Sequence, residues 1–252
     1  MKRVDEAVTE FPQPDAAQRE APPREGARPG VYVRGAETVE LILEAARGVL
    51  IDEGASAFTL RRIAARCGMK VGNVSYYFAR KELLVQLLLD DLLDYYERVL
   101  DETVRQPGLS PEAQLSMLIG IVLDDIGTKR TTHLFTELWA LANHNVFIAE
   151  RVAAFYRHAH GHIAAAVLPL NPALSPADAD VVARFISAAM EGTTIFAGHG
   201  KPWAHQMPQL KSLAVAALVH LAKTIKPEDI RRLPAAGAPQ GASTQFRQSG
   251  GP

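Results

Sequence analysis

Residues 59–84 read TLRRIAARCGMKVGNVSYYFARKELL, and the spacing inside this stretch decides the fold. Thr59 is a helix N-capping residue, and Leu60, Ile63, Ala64 and Cys67 behind it share one stripe at helical period. Gly68 stands where a left-handed turn residue is wanted, so that helix ends there. A second short helix is expected from about Val71 to Phe78, with Val74 and Phe78 turned inward. At about 100° per residue, Gly72, Asn73, Ser75 and Tyr76 then project outward, flanked by Val71 and Tyr77. Two short helices around a tight glycine turn form a helix-turn-helix, whose second helix lies in a major groove. An outward face of amide, hydroxyl, phenol and glycine contributes little to packing. It suits the reading of base edges, because asparagine pairs bidentately with adenine and glycine lets the backbone come close.

Charge supports that assignment. Residues 55–81 hold Arg61, Arg62, Arg66, Lys70, Arg80 and Lys81 and no acidic residue. Residues 82–102 hold seven acidic residues against Arg98 alone. A solvated helical surface usually mixes its signs, so this segregation points to a polyanion facing the short helices. The net charge of −1 over all 252 residues conceals it.

Outward from this stretch the chain reads as helix on both sides. Val39, Leu43, Ala46 and Leu50 share a face over residues 36–53, and Gly54 stops that helix. A long helix over residues 80–104 has Leu84, Leu88, Leu92, Tyr96 and Val99 as its spine. Further helical patterns cover residues 113–126, 132–142, 146–167, 175–197 and 208–224. No period-two alternation lasts long enough for a strand, so the expected fold class is all-α. Four segments follow: a tail (1–30), a helix-turn-helix unit (31–81), a larger helical unit (82–226) and a second tail (227–252). Both ends are rich in proline and poor in large apolar residues, which leaves too little surface to offset ordering entropy.

With 48% hydrophobic and 22% charged residues, the composition excludes a wholly disordered chain. No apolar run approaches the roughly 18 residues of a membrane span. The first residues carry Asp5, Glu6 and Glu10 and no apolar h-region, so a cytoplasmic location is expected. The single cysteine, Cys67, excludes an internal disulfide and multi-cysteine zinc motifs. It lies on an inward stripe and is expected to pack.

The run from Thr59 to Leu84 resembles the DNA-binding signature of the TetR (tetracycline-repressor) family. The matching features are Thr59, Ile63-Ala64, Gly68 at the turn, Gly72, Tyr77-Phe78 and the Lys81-Glu82-Leu83-Leu84 run that opens the long helix. The resemblance implies phosphate contacts from Thr59 and Lys81, and Arg61 near a base edge or phosphate. It implies Asn73, Ser75 and Tyr76 along the groove, and Tyr77 on the DNA backbone. Lys70 and Arg62 are candidate phosphate neighbours. Two departures stand out: Ser75 replaces a common tyrosine, and Arg80 replaces a common capping serine before Lys81.

The resemblance extends, more loosely, to a ligand-binding and dimerisation unit after Pro107. Val181, Phe185, Ala188, Ala189, Gly192 and Phe196 fall on one face of a helix, with small residues where another helix can approach. Leu210, Leu213, Ala214, Ala217, Leu218 and Leu221 form a stripe on the last helix. Paired with a symmetry mate, the two would make the family's four-helix dimer seam. Met117, Ile121, Phe135, Leu138, Trp139, Phe155 and Tyr156 are candidate pocket residues, with His133, Glu137 and Asn143 as directional polar groups.

Other chemistry finds less support. Of His158, His160 and His162, only the first and last share a helix face, with no carboxylate one turn away, so no metal site is expected. No His-Glu-x-x-His, di-iron or phosphate-loop motif is present, and no cofactor is expected. The resulting expectation is a homodimeric, ligand-responsive regulator of transcription, a repressor released from double-stranded operator DNA by a small apolar or aromatic effector. The alternative is a helical enzyme or small-molecule carrier with a similar amino-terminal unit, for which no acid, base or nucleophile set is found.

Overall fold

The computed structural model describes residues 29–231, with side chains from residue 35 onward. The helices are α1 (Pro29–Glu53), α2 (Leu60–Arg66), α3 (Val71–Tyr77), α4 (Lys81–Val99), α5 (Pro111–Ile126), α6 (Lys129–Ala142), α7 (Val146–Leu170), α8 (Pro176–Ala197), α9 (Met207–Thr224) and α10 (Pro227–Arg231). Short 3-10 turns at Ala55–Ala57 and Ala204–Gln206 and a π-helical turn at Leu100–Val104 join them. Among the described residues there is no strand, and the fold is all-α. No described helix is long and apolar enough to cross a membrane.

Local chemistry explains where the helices begin. The side chains of Thr59, Ser110, Thr128, Asn145 and Ser175 accept N–H groups of the first turns of α2, α5, α6, α7 and α8, which satisfies donors a helix leaves unpaired. Ser175 and Asp178 bond reciprocally in a full capping box. Arg80 gives α4 no side-chain cap, as an arginine at that position implies. Gly68 turns the chain between α2 and α3 at φ +69°, a conformation costly for any residue with a Cβ.

Several boundaries differ from the sequence reading. α1 begins at Pro29, so its start takes in the end of the expected tail, whose other residues, 1–28, lie outside those described. The helix expected over residues 80–104 is α-helical only to Val99 and finishes in the π-helical turn. The second expected tail starts as α10, anchored by the Arg231 guanidinium on Asp178; residues 232–252 lie outside those described.

Apolar packing forms two bodies. The first joins the stripes of α1, α2, α3 and α4, including Leu50, Phe58, Ile63, Val74, Phe78 and Leu88, to Leu134, Phe135 and Leu138 of α6 and Ile148, Val152 and Phe155 of α7. The second collects α5, the distal half of α7, α8 and α9. Each large side chain taken fully out of water contributes about 1.5–3 kcal/mol. The helix-turn-helix therefore shares its core with α6 and α7, and the expected division at residue 81 does not coincide with a break in packing.

Candidate nucleic-acid interface

α3 is held by Val74 and Phe78, both buried, and presents its other side to solvent. Gly72, Asn73 and Tyr76 are exposed, Tyr76 at 77% of its surface, and Tyr77 stands edge-on to it with ring centroids 5.3 Å apart. Ser75 is half-buried and so turns farther from the outer face than its periodicity suggested. A Cβ built at Gly72 would meet nothing within 4 Å. The absence of a side chain there is not required by the packing of this chain.

The basic residues separate into two groups. Arg62 binds Glu53 with two nitrogens, at 2.5 and 3.0 Å, and Arg66 reaches Asp52 at 2.7 Å and Glu53 at 3.4 Å. The bonds from Arg62 outweigh desolvation and lower the Glu53 carboxyl; those from Lys129 and Arg66 do the same for Asp52. Arg62, a candidate phosphate neighbour, is thus committed to α1. The sequence placed the acidic partners outside the basic run, on the preceding helix, and the fold brings them back. Arg61 and Lys70 are exposed and make no ion pair among the described residues. Lys81 is half-buried, with its ammonium 6.0 Å from the centre of the Phe58 ring. Thr59 caps α2 by accepting the Arg62 N–H, and its own hydroxyl hydrogen remains available to an acceptor.

The far end of the molecule carries an apolar surface. Val181, Phe185, Ala188, Ala189 and Phe196 are exposed along α8, and Gly192 among them has open space where a Cβ would stand. Ile195, Trp203 and Leu213, each about half exposed or more, adjoin that face. On α9 the stripe is divided differently from the expectation. Leu210 and Ala214 pack against the chain's own second core and Leu218 is buried within it, whereas Leu213 and Ala217 face outward and Leu221 lies between.

The candidate pocket residues come together only in part. Phe135, Phe155, Trp139 and Tyr156 form a ring cluster with centroids 5.4–6.3 Å apart, and Leu138 is buried beside them. Ile121 packs on the second core, and Met117 is exposed. The polar groups assigned to the pocket act elsewhere. His133 bonds the Ile51 carbonyl at 2.8 Å, and the Glu137 carboxylate accepts the Ala55 N–H at 2.6 Å, so both tie α6 to the end of α1. Asn143 borders a groove of about 420 Å³ between that junction and the start of α7, which Ser56, Lys81, His144 and Ile148 also line.

The sequence reading missed the polar partners at the ring cluster. Trp139 donates to the Tyr156 hydroxyl at 3.0 Å, and Tyr156 is hydrogen-bonded to Glu191. Burial raises the Glu191 carboxyl to about 7, the nearby Asp125 adds to this, and the Tyr156 bond opposes it. Asp125, itself buried, accepts from Tyr96 and from Arg130 at 3.0 Å. Glu191, the one acidic residue among the apolar and small residues of the second half of α8, was the available signal.

The histidines of α7 also find an unforeseen neighbour. The carboxylate absent from their own helix comes from α4: Glu97 Oε1 lies 2.5 Å from His158 Nε2 and 2.7 Å from His162 Nε2.

Comparison with known proteins agrees with this geometry. Residues 42–88 match the model for bacterial regulatory proteins of the tetR family, and residues 111–221 match that for the carboxy-terminal part of BetI-type transcriptional repressors. A regulator of the helix-turn-helix type in the dhlA 5′ region of Xanthobacter autotrophicus is 30% identical over 136 residues, 52% of this chain and 66% of that protein. A transcriptional regulator from Rhodococcus sp. Rha1 superposes with a TM-score of 0.61 at 20% identity, over 74% of this chain and 98% of its own. A regulator from Saccharomonospora viridis, solved in complex with choline, gives 0.58 at 20% identity over 71% and 95%. With both its amino-terminal and its carboxy-terminal part matched, this protein belongs to the TetR family of transcriptional regulators.

Proposed function

We propose that the protein is a homodimeric repressor that grips operator DNA through residues 31–81 and lets go when a small ligand enters the helical unit behind them. The observation that carries the reading is the outer face of α3, where an open Gly72 stands among exposed Asn73, Tyr76 and Tyr77. In it, Asn73 and Tyr76 meet the groove, with Ser75 at its edge, and Thr59, Arg61, Lys70, Tyr77 and Lys81 hold phosphates. Two such heads, related by a twofold axis through the exposed faces of α8 and α9, read two half-sites.

The effector site supported best is the ring cluster of Phe135, Trp139, Phe155 and Tyr156. It takes an apolar or aromatic body, and the Tyr156–Glu191 pair matches a hydrogen-bond donor or positive group on it. α6 connects the cluster to the head, because Phe135 and Trp139 share that helix with His133 and Glu137, which bind the end of α1. A ligand releases DNA only to the extent that it favours the arrangement in which the heads are wrongly spaced.

The test is operator binding measured against salt, after selection of bound sequences from a random pool. Affinity falls with a log–log slope of about −0.9 per phosphate neutralised. Lys81→Ala weakens all sequences alike, while Asn73→Ala relaxes preference at one base position. A flat salt dependence defeats the reading.

A further inference from the structure

His158 and His162 lie one turn apart on α7, with ring centroids 4.7 Å apart and ring planes at 82°. Both Nε2 atoms address the same oxygen of Glu97, one turn before the π-helical close of α4. All three donor atoms lie within 4.8 Å of one another. Two imidazoles and a carboxylate converging on one point, partly open to solvent, are the usual protein share of a zinc-type site whose fourth place goes to water. Tetrahedral bonds of about 2.0–2.1 Å need donor atoms about 3.3 Å apart. His158 and Glu97 are 49% and 33% exposed in their side chains and have room for that adjustment.

Arg105, which follows the π-helical turn, occupies the neighbourhood. It donates to Glu97 Oε2 at 2.8 Å, to Asp101 at 2.6 Å and to His162 Nδ1 at 2.8 Å. Accepting at Nδ1 leaves the His162 proton on Nε2, where it points at Glu97. A metal ion at Nε2 reverses this tautomer, because the remaining proton then sits on Nδ1 and can no longer receive the arginine. Arg105 and an ion therefore compete for the same pair of side chains.

We propose that Glu97, His158 and His162 form a binding site for a divalent transition-metal ion of the zinc type, with Arg105 as the resident cation that the ion displaces. Nitrogen and carboxylate donors suit Zn²⁺, Co²⁺ and Ni²⁺ better than Mg²⁺ or Ca²⁺. The ion joins α4 to α7 and so couples the helix that leaves the DNA-binding head to the centre of the larger unit.

The experiment is calorimetric titration of the untagged full chain with Zn²⁺ alone, paralleled by Co²⁺ with visible absorption as readout. One equivalent binds, and the cobalt form shows the intense bands of four-coordination. His158→Asn, His162→Asn and Glu97→Gln each weaken that equivalent at least tenfold, and circular dichroism checks that each variant stays folded. Arg105→Gln tightens it, which a merely structural ion-pair cluster does not predict. Absence of binding to the parent protein overturns the proposal, as does an equivalent that survives in the double variant of His158 and His162. Neither result depends on DNA, so failure here leaves the regulatory reading intact.

Discussion

Gly72 offers the sharpest separation of folding from recognition at the scale of one residue. An added methyl meets nothing in this chain, and alanine is favoured over glycine in a helix by roughly 0.5–1 kcal/mol. Gly72→Ala is therefore expected to leave the melting temperature unchanged or raise it, while operator affinity falls because the backbone no longer approaches the bases; thermal unfolding and a binding titration on one sample decide it. The neighbouring arginines divide in the same manner. Arg61→Ala lowers the salt slope by about one ion, and Arg62→Ala leaves it alone, since Glu53 already holds that side chain. Glu191 gives a pH signature. Its folded value of about 7 exceeds the ordinary 4.5, so the fold keeps a proton that the unfolded chain releases. The contribution of this group thus declines as pH rises from about 4.5 to about 7 and is level beyond. Relative to the parent, Glu191→Gln gains up to about 3 kcal/mol at pH 8 and nothing at pH 4, to be read from urea unfolding. Equal differences at both pH values refute it. These partners were hidden from the sequence for a common reason. Glu53, Glu97 and Glu191 act across helix pairs, and periodicity ranks residues along one helix only.

Single elements were far more legible, because a buried stripe and a cap are written within the helix itself. The stripe of α2, the glycine at φ +69° and the inward Val74 and Phe78 all stand as spacing implied. α10 was missed although Pro227, Glu228 and Asp229 are the residues expected at a helix start; a proline-rich surrounding masked them. On α8 the expected face is indeed apolar and exposed, whereas on α9 the stripe is wide enough that the chain's own core takes part of it. A seam built by α8 makes a firm prediction. Gly192→Arg is accommodated by the isolated protomer, where a Cβ finds open space, but it places charge and bulk between two copies. Light scattering should show monomers with unchanged helicity, and operator binding should fail for want of a second half-site. Dimers of parental affinity would move the seam to another face.

For the whole molecule, the consequential interface is the one joining α6 to the end of α1. Ligand-induced release requires that operator and effector weaken one another by the same factor. Replacing Glu137 with alanine leaves the Ala55 N–H without its carboxylate and removes one of the two α6 hydrogen bonds, the other being that of His133, that tie the helix of Phe135 and Trp139 to the head. That variant is expected to bind DNA and ligand with nearly parental affinities while the factor between them shrinks toward one. Titrating a release-active compound against free and operator-bound protein measures it, and an undiminished factor assigns the coupling to another contact.

The apolar body that unites α1 to α4 with Leu134, Phe135, Leu138, Ile148, Val152 and Phe155 has a bearing on how such proteins can be recombined. A DNA-reading module that owned its whole core could be cut out and grafted between relatives as a cassette. Here the inner wall of that module is supplied by side chains 50 residues and more along the chain from α4's start. Chimaeras that exchange residues 31–81 alone inherit mismatched halves of one core, so specificity is transferable only when the matching surfaces of α6 and the first turns of α7 travel with it.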